Sequence, residues 1–285
     1  MESKLGLTKG WIEQRTGIQA RRWVEEETIL DLATLALSSA LDDFENAHEK
    51  IDRVFFVTSS EKPSYVPYST QIAAACGLTK AVGNDITGGF MSFLHAMDLS
   101  LATIESSKSA GIAIVAAETL SKHLDEEDVD TLPIFADGAG AVVLLPDSWY
   151  HVAFFKSLPE ASGDLTIDSN GLIRMKGLRV FKTAVNGMEE TVKVLLEKAG
   201  MEPEALELVI PHQANLRIIM KAFQRLQIAQ ERVFVNLQEL GNTGSASIPI
   251  ALHFALQQRS PRSILLAGVG SGMNYGGLLL WEVDR

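Results

Sequence analysis

The sequence predicts an α/β protein built from two similar halves. Short apolar runs, which are typical of buried strands, alternate with longer helical stretches along its 285 residues. This alternation starts again after residues 146–178, a stretch with Pro, Gly, Ser and Asp that we interpret as the seam. Alternating strands and helices favour sheets that are covered by helices on their faces. We therefore expect an N-terminal half at 1–146 and a C-terminal half at 147–285.

The first half is predicted to hold strands at 54–57, 81–86, 111–116 and 141–145 and helices at 70–77 and 88–104. Apolar side chains recur three or four residues apart in the second helix, as on the buried face of a helix. These side chains are Phe90, Phe93, Leu94 and Met97. Two glycines at 137–140 predict a turn before the last strand.

The second half is predicted to repeat this order of elements. Its helices are expected at 182–199, 215–226 and 248–258, and its strands at 206–210, 233–235, 263–267 and 278–281. Pro249 fits the first turn of the last helix, where a missing N–H is tolerated. The pattern therefore indicates one folding unit that occurs twice along the chain.

Composition and charge exclude several classes of protein. The 36 acidic and 25 basic residues give a net charge of −11, which argues against binding to nucleic acid or to a membrane surface. Cys76 is the single cysteine, so an internal disulfide and a multi-cysteine metal site are excluded. No apolar run approaches the ~18 residues of a membrane span, and Met1 is not followed by a secretory leader. We expect a cytoplasmic, globular protein without a metal.

His212 is the first candidate for chemistry. An apolar strand runs into Pro211 and His212, and a helix follows with Asn215 near its start. Ligands collect at the C-terminal ends of strands in open α/β sheets, and an imidazole there can act as a base or as a hydrogen-bond donor. An ordinary, partly buried histidine is the alternative interpretation.

Two further residues stand where the chain leads into a helix. Asn242 lies among small residues at 240–249, and its side chain would point from a tight loop at a helix entrance. Thr87 ends a strand before two glycines, so its hydroxyl lies at a helix N-terminus, where backbone N–H groups can hold an anion. The alternatives are a loop filler for Asn242 and a helix cap for Thr87. The glycine-rich stretch at 267–277 can present N–H donors but does not match a dinucleotide-binding motif.

The order of these motifs resembles that of β-ketoacyl-acyl-carrier-protein synthase III, a family of thiolase-like condensing enzymes. The matching motifs are WIEQRTGI at 11–18, FADGAGA at 135–141, PHQANLR at 211–217 and GNT at 241–243. The resemblance implies a thiolase-like α/β fold, in which two similar βαβ halves pack as an α/β/α/β/α layered structure. We expect the family's N-terminal edge strand to be missing.

The resemblance also implies an acyltransferase that acts on acyl and malonyl thioesters in fatty-acid or polyketide-type biosynthesis. The family uses a cysteine nucleophile with a histidine and an asparagine, and the last two match His212 and Asn242. The cysteine's position matches Thr87, whereas in an alternative alignment the cysteine is deleted. Backbone N–H groups near Thr87 and Ser271 would form the oxyanion hole. Without the thiol, three reactions remain: condensation, acyl transfer through the Thr87 hydroxyl, or malonyl decarboxylation without an acyl enzyme.

By the same resemblance, the substrate-binding residues are Trp11, Arg15, Asn215 and Val269. Val129 stands where the family has an arginine that binds coenzyme A. Acidic residues surround Val129 in the sequence, which disfavours a phosphate-bearing coenzyme as the donor.

A basic surface completes the resemblance. The docking surface for an acyl carrier protein is expected to consist of Lys182, Arg217, Lys221 and Arg225. The last three share one helix face by their spacing, which also fits an ordinary solvated face. The resemblance implies no cofactor beyond the phosphopantetheine that the substrates carry. We expect a homodimer, and the alternative is a partner or specificity subunit of a heterodimer with a cysteine-bearing paralogue.

Overall fold

The chain folds into two four-stranded sheets, a short hairpin and the helices that cover them. The computed structural model describes residues 1–42, 46–106, 108–146 and 149–282. The strands are β1 (Arg53–Val57), β2 (Val82–Ile86), β3 (Ile112–Thr119), β4 (Asp137–Leu144), β5 (Trp149–Ser157), β6 (Leu165–Ile167), β7 (Ile173–Met175), β8 (Leu208–Pro211), β9 (Ser263–Gly270) and β10 (Asn274–Glu282). The helices are α1 (Trp11–Thr16), α2 (Ile29–Asp42), α3 (Ala47–Lys50), α4 (Tyr68–Ala75), α5 (Ser92–Glu105), α6 (Gly177–Ala199), α7 (Leu216–Arg225), α8 (Leu237–Leu240) and α9 (Ser247–Leu256).

The first sheet has the strand order β2-β1-β3-β4. β1 runs parallel to β2 and to β3, whereas β4 runs antiparallel to β3. β3 is buried along its whole length and is almost continuously apolar. This is the composition expected of a central strand that has helices on both of its faces.

The second sheet has the strand order β5-β10-β9-β8. β8 runs parallel to β9, and β10 runs antiparallel to β9 and to β5. β8, β9 and β10 therefore correspond to β1, β3 and β4 of the first sheet. In the second sheet β5 covers the outer edge of β10, whereas no strand of the described residues covers the outer edge of β4.

The helices and sheets form five layers. α2 and α4 pack on the outer face of the first sheet, and α6 and α7 pack on the outer face of the second. α5 and α9 lie between the two sheets and share a core with both of them. The predicted α/β/α/β/α layering is confirmed. No helix in the described part of the chain is long and apolar enough to cross a membrane.

The turn predicted at 137–140 is wrong, because these residues begin β4. Gly140 pairs with Ala116 across the sheet. A Cβ atom at Gly140 would lie 2.9 Å from the backbone nitrogen of Ile250 in α9. Glycine is therefore needed here because a helix packs closely on the strand, and not because the chain turns.

Two other predictions about secondary structure are corrected. The strand expected at 233–235 is reduced to a single bridge between Val233 and Val209. The stretch at 146–178, interpreted as a seam, holds the strands β5, β6 and β7. The division into halves at 146 and 147 stays a prediction, and residue 147 lies outside the described residues.

Candidate active site

A cavity of about 380 Å³ gathers residues from both halves of the chain. Its lining includes residues of α1, α6 and α7, residues that follow β8, and the C-terminal end of β9, and such strand ends are where ligands of α/β proteins commonly bind. The predicted site residues that line it are Trp11, Arg15, His212, Asn215, Arg217, Asn242 and Val269. The structure thus brings the predicted histidine and asparagine together with the predicted substrate-binding residues.

His212 directly follows β8 and is held there by the neighbouring strand. Its backbone N–H donates to the carbonyl oxygen of Ala267 in β9 at 2.8 Å. Its side chain is only 3% exposed, and its ring lies 5.8 Å from the ring of Phe90 between centroids. The imidazole therefore has a fixed position in the cavity wall.

The proton on the His212 ring can be assigned from its hydrogen bonds. His212 Nδ1 lies 2.6 Å from Oγ of Ser247, the first residue of α9. The same oxygen accepts the backbone N–H of Gln213 at 3.4 Å. Ser247 is buried, and its hydroxyl hydrogen has no other acceptor among the described residues. We therefore assign the hydroxyl as donor to Nδ1, which leaves the ring proton on Nε2.

Burial keeps the His212 ring neutral. It lowers the pKa of His212 to about 4, because a buried imidazolium loses its hydration. No acidic side chain in the described part of the chain forms an ion pair with it. At neutral pH His212 is thus a hydrogen-bond donor through Nε2 and carries no charge.

Asn242 is fixed by its backbone and by its own side-chain oxygen. Its N–H donates to the carbonyl oxygen of Ile134 at 3.0 Å, and its carbonyl oxygen accepts the N–H of Ala136 at 2.9 Å. Its side-chain Oδ1 accepts the Gly244 N–H at 3.0 Å. Its amide nitrogen Nδ2 donates to no described residue, and Asn242 lines the cavity. The cavity therefore offers two neutral donors, which suit an oxygen that gains negative charge during a reaction.

Thr87 does not line the cavity together with His212 and Asn242. It follows β2, and its side chain is exposed. Ser271 is half-buried and does not line the cavity either, whereas Gly270 and Phe90 do. The roles of Thr87 and Ser271 in an acyl transfer stay predictions.

Cys76 does not take the place of a nucleophile in the cavity. It directly follows α4, is buried, and does not line the cavity. Its Sγ lies 3.5 Å from Ser38 Oγ, between α2 and α4. The thiol is therefore a small core group on the outer face of the first sheet.

The mouth of the cavity combines an aromatic surface with groups of both charges. The Arg15 guanidinium lies 5.3 Å from the centre of the Trp11 ring. Asn215 caps α7 and donates from Nδ2 to the carbonyl oxygen of Arg15 at 3.3 Å. Val129 and Asp130 also line the cavity. The mouth can thus stack on a flat group, and Asp130 adds a negative charge beside it.

The expected docking residues lie on α6 and α7, which pack side by side. Lys182, Arg217, Lys221 and Arg225 are exposed. Arg217 stacks at 5.7 Å on the ring of Phe181 and lines the cavity. Arg225 pairs with Glu189 at 3.4 Å, so it is partly neutralised. Lys182 and Lys221 pair with no acidic group of the described residues, and with Arg217 they provide the unpaired positive charge.

The sequence left two polar contacts of the site unassigned. Ser247 is the first residue of α9 and lies within the stretch 240–249, in which Asn242 was identified as a candidate. A serine at this place is a recognisable sequence signal for the start of a helix. Glu118 is a completely buried acid near the end of β3 that bonds to the turn after Asn242. An acidic residue at the end of an otherwise apolar strand is the only signal for it in the sequence. Among the described residues, no cluster of His, Cys, Asp and Glu is arranged to hold a metal ion.

Comparisons with known proteins agree with this geometry. Residues 84–160 match the family model described as 3-oxoacyl-[acyl-carrier-protein (ACP)] synthase III, and residues 196–281 match the model of its C-terminal part. A β-ketoacyl-[acyl-carrier-protein] synthase III of Aquifex aeolicus is 38% identical over 98% of this chain and 93% of its own length.

Solved structures resemble this chain over nearly its whole length. The crystal structure of 3-oxoacyl-[acyl-carrier-protein] synthase III from Aquifex aeolicus superposes with a TM-score of 0.93, at 38% identity, over 97% of this chain and 92% of its own. The priming β-ketosynthase of the R1128 polyketide pathway superposes with a TM-score of 0.91, at 30% identity, over 99% of this chain and 90% of its own. With the matched motifs, the shared fold and the His–Asn cavity, the chain belongs to the β-ketoacyl-[acyl-carrier-protein] synthase III family.

Proposed function

We propose that this chain binds malonyl thioesters of an acyl carrier protein and removes carbon dioxide from them, without forming an acyl enzyme at Thr87. The observation that carries the proposal is the pairing of two neutral donors, His212 and Asn242, in one cavity, while Thr87 lies outside its lining. The relatives are named for the synthesis of β-ketoacyl carrier proteins. Decarboxylation is the part of such a reaction that a site without a nucleophile can still perform.

The two donors fit the charge changes of decarboxylation. When the carboxylate leaves as carbon dioxide, the electrons of the broken carbon–carbon bond move toward the thioester carbonyl and form an enolate. Nε2–H of His212 and Nδ2–H of Asn242 would donate to the enolate oxygen. A proton from water then converts the enolate into an acetyl thioester. A neutral imidazole suits this role because it donates a hydrogen bond without giving up its proton.

Acyl transfer through Thr87 has less support. An alcohol is much less acidic than a thiol, so it needs a general base beside it. Thr87 is β-branched and exposed, and its hydroxyl forms no hydrogen bond with a described histidine. His212 makes its Nδ1 bond to Ser247 instead.

The surroundings of the cavity favour a carrier protein over coenzyme A as the donor. Asp130 would repel the phosphates of coenzyme A at the mouth, where Val129 offers no positive charge. The exposed Lys182, Arg217 and Lys221 beside the cavity fit the acidic surface of a carrier protein. The phosphopantetheine arm would then enter along Trp11.

Mass spectrometry tests the proposal directly. Incubation with malonyl carrier protein is expected to convert the malonyl group to an acetyl group on the carrier, while the mass of this chain stays unchanged. Thr87→Ala is expected to behave like the wild type. An acyl adduct on the chain that disappears in Thr87→Ala would show that Thr87 is a nucleophile and would contradict the proposal.

A second candidate is a partner subunit that associates through β2. β2 is an edge strand within the described residues, and Val82 on it is 56% exposed. Tyr65 is fully exposed as well, in the segment before α4, whose first residue, Tyr68, donates its N–H to Asp85 of β2 at 2.8 Å. An exposed edge with apolar side chains can pair with an edge of another chain. Native mass spectrometry would distinguish a homodimer, which the leading proposal expects, from a heterodimer with a cysteine-bearing homologue.

A further inference from the structure

Glu118 is a carboxyl group buried beside the turn that carries Asn242. It is the penultimate residue of β3 and has no exposed surface. No basic side chain of the described residues pairs with it. A carboxylate in such a place is costly unless several donors compensate it. Its partners therefore show what the fold gains from this residue.

The partners of Glu118 come from two other segments of the chain. The Ser59 N–H lies 3.0 Å from both carboxylate oxygens, and the Thr58 hydroxyl donates to Oε2 at 3.3 Å. On the other side, Ser245 donates to Oε1 with its backbone N–H at 3.2 Å and with its hydroxyl at 2.5 Å. Burial raises the pKa of Glu118, and the hydrogen bonds from Ser245 and Ser59 act against that rise, so these donors suit the accepting oxygens of the side chain.

The hydroxyl groups next to Glu118 form hydrogen bonds whose donors also point toward the carboxylate. The Thr119 N–H donates to Ser60 Oγ at 2.8 Å, and the Ser60 N–H donates to Thr58 Oγ1 at 3.2 Å. Thr58 Oγ1 also lies 3.2 Å from Ser60 Oγ, and with the Thr58 hydrogen donated to Glu118 the Ser60 hydroxyl is the donor in that contact. The network consequently ends at the carboxylate and anchors it to the end of the first sheet.

The turn from Asn242 to Ser245 rests on this carboxylate. Asn242 Oδ1 accepts the Gly244 N–H at 3.0 Å, which fixes one end of the turn. Gly244 has a φ of +57°, and a Cβ atom there would lie 3.1 Å from Glu118 Oε1. Ser245 fixes the other end through its two bonds to Glu118. The direction of the Asn242 amide nitrogen thus depends on a turn that Glu118 supports.

We propose that Glu118 is a positioning residue for Asn242. By accepting both hydrogen bonds of Ser245, it holds the turn in the shape that aims the Asn242 amide nitrogen into the cavity. The geometric part of this inference concerns the chain alone, and its kinetic consequence rests on the function proposed above. The two parts are tested separately.

Glu118→Gln is the most informative variant. It keeps the size of the side chain but replaces one accepting oxygen by an NH₂ group that faces donors. Ser245→Ala is the second variant, which removes one donor from the turn and tests the same contact if Glu118→Gln does not fold. Asp52→Asn is the matched control. Asp52 accepts the Ala110 N–H at 2.8 Å and the Ser109 hydroxyl, next to the opposite ends of β1 and β3.

The geometric part is tested by nuclear magnetic resonance on protein with ¹⁵N-labelled asparagine. The side-chain amide signal of Asn242 is identified by its loss in Asn242→Ala. We expect this signal to shift in Glu118→Gln and in Ser245→Ala and to stay in place in Asp52→Asn. An unmoved signal in folded Glu118→Gln and Ser245→Ala would overturn the inference, whether or not the protein shows activity.

The kinetic part is tested by a double-mutant cycle on malonyl carrier protein. We expect Glu118→Gln to lower kcat at least tenfold with little change in KM, and to cause no further loss in the Asn242→Ala background. Independent, multiplicative losses would show that Glu118 does not act through Asn242. A wild type without decarboxylase activity would contradict the proposed function instead, and the resonance measurement would still decide the geometry.

Discussion

Ser247 Oγ lies 2.6 Å from His212 Nδ1, so a residue 35 positions further along the chain sets the state of the imidazole. The first residue of α9 supplies the hydroxyl, and the segment after β8 supplies the ring. Because the hydroxyl donates to Nδ1, the opposite nitrogen, Nε2, carries the proton and is the hydrogen-bond donor of the cavity. The packing of α9 between the sheets thus contributes directly to the chemistry of the site.

Removing the Ser247 hydroxyl should impair His212 without removing it. In Ser247→Ala no donor occupies Nδ1, so the ring is no longer fixed in one tautomer and orientation, and part of the population presents the wrong nitrogen. We expect kcat for malonyl decarboxylation to fall roughly tenfold, a loss below that of deleting a donor in an oxyanion site. Ser100→Ala is the control, because Ser100 is buried in α5 and, among the described residues, its hydroxyl bonds only to Ala96 of its own helix. Equal losses in both variants would assign the effect to general destabilisation.

His212 should make the protein less stable as the pH falls from 7 to 5. Its pKa is about 4 in the folded protein and about 6.5 when unfolded, so in this range the unfolded chain takes up a proton that the folded chain does not. The contribution of His212 to the free energy of unfolding therefore falls by about 2 kcal/mol. Urea denaturation of the wild type and of His212→Ala at both pH values measures it. The stability difference between the two proteins should change by this amount, and a constant difference would contradict the assigned burial.

Neutralising Asp130 should improve the use of coenzyme A thioesters. Asp130 lines the mouth of the cavity, and its carboxylate opposes the phosphates of the coenzyme. Asp130→Asn is expected to raise kcat/KM for malonyl-coenzyme A about fivefold, which is the scale of a surface charge interaction near 1 kcal/mol. Glu127→Gln is the control, since Glu127 is exposed on the same segment and does not line the cavity. Equal gains in both variants would remove the special role of Asp130.

Reversing the charge of Lys221 should weaken binding of a carrier protein but not of a small thioester. Lys221 is exposed on α7 and pairs with no acidic group of the described residues. Lys221→Glu is expected to raise KM for malonyl carrier protein roughly fivefold at low salt, with a smaller effect at high salt. KM for malonyl-pantetheine should not change. Lys50→Glu, an exposed lysine on α3 of the first half, should leave both values unchanged.

The sequence alone was sufficient to predict the layered architecture and the central strands of the sheets. Apolar runs such as the one at 263–267 identify buried strands because both faces of such a strand meet helices. The glycines at 138 and 140 misled the prediction, since glycine signals either a turn or a close approach of two backbones. Only the position of α9 against β4 decides between these meanings.

The site was predicted only in part, again because some of its contacts join segments that are far apart in the sequence. His212 and Asn242 stand at a strand end and in a glycine-flanked turn, which are local signals for a site. The partners of Glu118 lie 59, 60 and 127 residues away along the chain, so no local pattern reveals them. The exposure of Thr87 likewise depends on how β2 ends at the edge of the first sheet.

Release of carbon dioxide from malonyl carrier protein tests the central claim most directly. We expect the wild type and Thr87→Ala to release it at the same rate. His212→Ala and Asn242→Ala should be slower by about a hundredfold or more, as for the loss of one donor to a developing oxyanion. An unchanged rate in His212→Ala, or a loss of activity in Thr87→Ala, would contradict the account.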